Sequence, residues 1–283
     1  QSILLPKGVA LAVNFAVPPL LFLQGIYGQF IYPGAILSAL WSLSLMAVAM
    51  LAYYGLYINM AQSGLSDRVR TTALTISLLL LLASAFLLVN LSTLMQNPER
   101  WAAPGRAISG LFVNLGDPQF IPRYLHILLS CLAVGGLCIA LPARYRSDRL
   151  EPSAPETESQ YLHEREAAGL SWFFYATLLQ LPVGGWFFHS LPQAQRKLFM
   201  GEDPTAAALM FLSLFLAGFA LFAARRGRSL VAAVSALLTV CFMAGMRTLL
   251  RASLLEEHYQ PALRPFEAGP FFLFAASLAA SAL

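Results

Sequence analysis

The chain has 283 residues, a net charge of +4, 58% apolar residues and 11% charged ones. Soluble domains carry roughly 25% charged residues, so a soluble globular domain is excluded. The basic excess sits in short loops between long apolar runs, which gives no surface for nucleic acid and is the usual mark of basic cytoplasmic loops.

Long apolar runs that do not alternate with polar residues exclude a β-barrel. Only helices then satisfy the backbone in lipid. The expected fold is all-α, a polytopic transmembrane bundle of about eight helices, each near 20 residues for a bilayer crossing. Cys131, Cys138 and Cys241 fall inside predicted spans, without metal or CxxC spacing, and read as small apolar packers. There is no CxxCH, so covalent c-type haem is excluded. No GxSxG, HExxH or P-loop occurs, which argues against hydrolase and ATPase classes. The chain starts at Gln1 and stops inside an apolar run, as expected of a piece of a longer protein with an upstream helix missing.

In chain order, the first span is 8–29, kinked by Pro18 and Pro19. The second is 34–60, ending in Tyr53, Tyr54 and Tyr57, and the third is 71–94. A loop follows whose apolar piece, ISGLFVNLG, suits the membrane interface. The fourth span is 119–141, framed by Pro118 and Pro122. The fifth is 167–190, the sixth 204–224, the seventh 229–252, and the eighth begins near 269. The domain reading is a first four-helix bundle, 1–142, a polar cytoplasmic linker, 143–166, and a second bundle, 167–283. Pro and Glu in the linker leave it little to bury. No internal repeat of the transporter kind is seen.

Ten of the 18 basic residues, from Lys7 through Arg68, Arg70, Arg144 and Arg165 to Arg228, lie in alternate loops. That places those loops in the cytoplasm and reads the protein as a multi-pass membrane protein.

An ionisable residue within a span is a functional-site hypothesis. His126 lies near the start of the fourth span and His189 near the end of the fifth. Both fall near the outer face, each beside a small residue on its own helix, Ser130 and Gly185. Together they make a candidate slot for haem b with bis-imidazole ligation, His126 and His189 being the metal ligands. The plain alternative is that each hydrogen-bonds a neighbouring helix. Arg123, Arg247 and Arg251 stand near the same face. Their bidentate guanidiniums suit haem propionates, with snorkelling to headgroups as the alternative. Gln24, Tyr27 and Asn90 are quinone-site candidates, because a quinol's hydroxyls need acceptors. His163 reads as a solvated loop histidine. No Asp or Glu lies inside a predicted span, where a proton-coupled transporter would usually show one.

The stretches VNFAVPPLLFLQGIYGQF, AYYGLYIN and GDPQFIPRYLHILLSCLAVGGL resemble bacterial membrane subunits that work with periplasmic multihaem cytochromes. More distantly they resemble the quinol-oxidising subunits of cytochrome bd. The resemblance implies an integral membrane electron-transfer subunit of a respiratory complex with a periplasmic cytochrome c as partner, and His126 as haem ligand. Catalytic residues are not indicated. The intramembrane glutamates of bd oxidases are missing, which argues against terminal oxidase activity. The competing expectations are a haem-free membrane anchor of such a complex, and a transporter or channel.

Overall fold

The computed structural model describes residues 4–61, 66–101, 110–151, 155–256 and 258. Every regular element among them is a helix. These are α1 (Leu4–Leu37), α2 (Ala39–Ala61), α3 (Asp67–Met95), α4 (Phe120–Ser147), α5 (Glu156–Ser190), the short α6 (Gln193–Lys197), α7 (Pro204–Arg225) and α8 (Ser229–Leu255). Six are long and apolar enough to cross a membrane: α1, α2, α3, α4, α7 and α8. The expected eighth span near 269 lies outside the described residues, as do Arg106 and Arg264.

Local chemistry sets several boundaries. Asp203 caps α7 by accepting from the Thr205 and Ala206 amides, and Pro204 takes the first helical position, where no partner is lost. Gly227, at φ +68°, ends α7. Its amide donates to the Ala224 carbonyl and the Arg228 amide to that of Ala223, closing the last carbonyls as a left-handed cap does. Helix α1 breaks at Tyr27, whose backbone leaves the helical region, between Gly25, Gly28 and Pro33.

Two groups of helices meet at α4. Helices α1, α2 and α3 pack on one another, α4 touches α3, α5 and α8, and α7 joins α5 to α8. The partition into bundles ending at 142 and resuming at 167 is not how the helices pair. Helix α4 lies against α5, and small residues let their backbones approach: Ala133, Gly136 and Ala140 on one side, Gly169 and Ala176 on the other. The polar stretch 143–166 also differs from a structureless linker. Helix α4 runs on to Ser147 and α5 begins at Glu156. Gln160 bonds Glu164 and Arg165 bonds Tyr161, both one turn apart, and Leu162 is buried. Such pairs sustain a helix that composition alone reads as loop. His163 is exposed on this helix.

Candidate functional site

One end of the molecule collects the ends of α1, α3, α5 and α8 and the start of α4. Phe30 and Ile31 of α1, Met95 of α3 and Leu255 of α8 form one buried cluster there. The basic loops that hold Arg68, Arg144 and Arg225 lie at the other end, because the chain alternates direction from helix to helix.

The returning segment 110–119 is tied over the site end by polar groups. The Leu40 amide donates to the Gly110 carbonyl, and the Phe112 amide to that of Leu37. The Asn90 amide nitrogen donates to the Phe112 carbonyl, and its oxygen accepts from the Asn114 amide at 2.7 Å. Asn90 is therefore committed to the loop, and its expected place in a quinone site is taken by backbone. Asp117, buried, accepts from the Asn97 and Asn114 side chains and from the Gln119 amide. Arg100 donates to Asn114 and to the Gly116 carbonyl. Neither Asn114 nor Asp117 stands out in the sequence, where N-x-G-D-P is an ordinary turn signal. ISGLFVNLG is thus, in its described part, a segment pinned across the helix ends.

Beside this network lies Arg123, in the first turn of α4. It donates to Gln119 at 2.6 Å and to Gln96 at the end of α3. Its guanidinium stands 5.1 Å from the centre of the Phe187 ring of α5. Its Nε is buried with no hydrogen-bond partner. Arg123 lies within electrostatic reach of Asp117, Arg247 and Arg251. Arg251 stacks on Tyr27 at 5.1 Å, and its Nε is also buried and unpartnered. The fold brings the three arginines expected near one face, Arg123, Arg247 and Arg251, within electrostatic reach of one another. Arg247 is exposed. Gln24 and Tyr27 of α1 are half-buried, and Tyr27 belongs to the apolar cluster at this end.

The two histidines share the end but not a slot. Arg123 opposite Phe187 and Ser130 opposite Gln180 set the register of α4 against α5. His126 lies on the same stripe of α4, half-buried, and its imidazole makes no hydrogen bond among the described residues. His189 is exposed. It stands two residues after Phe187, about 200° round a helix of 3.6 residues per turn, and so away from α4. The expected small neighbours are used otherwise. Ser130 donates to the His126 carbonyl at 2.8 Å and accepts from Gln180 at 3.2 Å. Gly136 packs on α5, while a Cβ at Gly185 would meet nothing within 4 Å. The three cysteines are exposed on helix surfaces, not packed.

No group of three or more His, Cys, Asp or Glu able to hold a metal ion occurs among the described residues. Comparison with family models, curated proteins and solved structures finds no match.

Proposed function

We propose that this chain is an integral membrane electron-transfer subunit of a bacterial respiratory complex, exchanging electrons between the quinone pool and a periplasmic cytochrome c. The observation that supports this reading best is His126. A half-buried imidazole inside an apolar helix, with neither nitrogen engaged by another helix among the described residues, lacks among them the interhelical bond that would otherwise account for it. Neutral imidazole is a good ligand for iron.

His126 would hold haem b through an imidazole nitrogen, and Arg123, one turn nearer the helix start, would offer its charge and an unpartnered Nε to a carboxylate. His189 is exposed and would not join it. When bound, the haem would carry single electrons. In the same reading Gln24 and Tyr27, half-buried on α1, are the candidate groups for a quinol head, Asn90 being committed to the loop. A haem-free membrane anchor is the second reading. It is favoured by the side-chain network around Asp117, which closes the loop without any cofactor.

The absorption spectrum of the purified chain separates the two. A reduced b-type band that disappears in His126→Ala and persists in His163→Ala supports electron transfer. A colourless parent protein removes that reading and leaves the anchor.

A further inference from the structure

Arg247 and Arg251 are one turn apart on α8, and like charges at that spacing repel. Arg123 adds a third positive charge within reach of both. Asp117 is the carboxylate within reach of Arg123, and its oxygens are taken by Asn97, Asn114 and the Gln119 amide. Neither Arg247 nor Arg251 makes an ion pair among the described residues. Snorkelling accounts for the exposed Arg247. It does not account for Arg251, which lies on the Tyr27 ring with its Nε buried and unpartnered.

The surroundings say what kind of anion fits. Arg251 is four residues from the end of α8 and Arg123 is the fourth residue of α4. At 1.5 Å per residue both stand about 5–6 Å inside the helix ends, the level of lipid headgroups. Deeper on the stripe that carries Arg247, Met243 and Val240 are 36% and 58% exposed. Phe22 and Ile26 of α1 are exposed as well. Helices α1 and α8 touch at Tyr27–Arg251 and at the Leu255 cluster, and do not pack side by side below it. The result is a cationic rim beside exposed apolar side chains of α8.

We propose that Arg247 and Arg251, with the charge of Arg123 behind them, bind a phosphate-ester anion, the headgroup phosphate of an anionic phospholipid whose acyl chain lies along Met243 and Val240. Bidentate guanidinium contacts suit phosphate oxygens. A free phosphate ion shares the headgroup chemistry but makes no use of the exposed apolar side chains of α8. This inference is independent of whether His126 holds a haem.

The test uses the full chain, stripped of lipid in detergent. Native mass spectrometry and thermal unfolding are followed on adding phosphatidylglycerol, phosphatidylcholine or inorganic phosphate. Phosphatidylglycerol is expected to bind in preference to phosphatidylcholine and to raise the unfolding midpoint, with little effect from inorganic phosphate. Arg247→Gln, at an exposed position that does not threaten folding, should weaken phosphatidylglycerol binding about fivefold, and Arg251→Gln similarly. Arg225→Gln, at the other end of the molecule, should leave it unchanged. Equal binding of the two lipids, or full binding by Arg247→Gln and Arg251→Gln, overturns the site. Stabilisation by inorganic phosphate equal to that by lipid replaces the phospholipid with a soluble anion. No arm of the test reads a haem band, so its failure is distinct from failure of the electron-transfer reading.

Discussion

Gly136 of α4 and Gly169 of α5 meet backbone to backbone. A Cβ at either position would stand 2.6 Å from the carbonyl oxygen of the other. In lipid, apolar side chains gain little by leaving hydrocarbon, so close packing of small residues is what draws helices together. The register set here carries through to the site end, where Arg123 reaches Phe187.

Gly136→Val is therefore expected to destabilise the protein by about 1–3 kcal/mol or more, the usual cost of overpacking. Gly135→Val is the control, because a Cβ at Gly135 meets nothing within 4 Å. Unfolding midpoints in detergent check both. Equal midpoints would mean that the two helices do not cross at this point.

Glu166 is buried near the start of α8, where Ser229 donates to it at 2.7 Å. Ser229→Ala removes the donor and leaves a buried carboxylate short of a partner, at a cost of about 1–3 kcal/mol. Replacing both residues, as Glu166→Leu with Ser229→Ala, is expected to cost less than the sum of the two single changes. A double-mutant cycle of unfolding midpoints measures that coupling.

Asn90→Leu keeps the approximate size of the side chain and deletes two bonds to the returning segment. The Asn114 amide then loses its side-chain partner and the Phe112 carbonyl loses one bond, at a cost of about 1–3 kcal/mol if no water reaches the amide. The expected result is a lower unfolding midpoint and faster proteolysis between α3 and α4. A midpoint matching the parent would show that the segment is held by something other than Asn90.

The two histidines separate in their effect on colour. Where a b-type band is present, His189→Ala should leave it intact and His126→Ala should abolish or shift it. A band that survives loss of His126 and vanishes with His189 would reverse the assignment and contradict the register of α4 on α5.

Trypsin tests the alternation of the chain. Arg149 and Arg226 are exposed at one end, and Lys197 is exposed at the other. In sealed vesicles of one orientation, cleavage after Arg149 and Arg226 should occur together, and cleavage after Lys197 only from the opposite side. Cleavage at all three from one side would break the expected topology.

Much of the helix layout can be read from the residues. The sixth span, 204–224, falls on Pro204–Arg225 because Asp203, Pro204 and Gly227 carry their own stop and start chemistry. The arginine grouping was also legible, since Arg123 near the start of α4 and Arg247 and Arg251 in the last third of α8 lie toward one end of helices of opposite direction. The Asp117 network was not. Its members, from Asn90 to Gln119, come from a helix end and a loop, and no periodicity links them. The front of α5 was hidden by composition: Glu, Ser and Pro suggested loop, while the pairs at Gln160–Glu164 and Tyr161–Arg165 hold a helix. Gly136 was visible as a small residue, but one helix cannot show whether a ligand or another helix fills the space beside it.

The Leu255 cluster joins helices made far apart in time. Helix α1 emerges early, and its partner residue in α8 follows only after most of the described chain has been translated, tens of seconds later at about 5–20 residues per second. The α4–α5 hairpin is local and is complete well before then. Arg123 thus waits beside Gln96 and Gln119 for Arg247 and Arg251 to arrive, and Tyr27 waits for the guanidinium that will cover it. The cationic rim comes into being only once α8 has been made, so a chain interrupted before α8 would retain the hairpin and lack the rim.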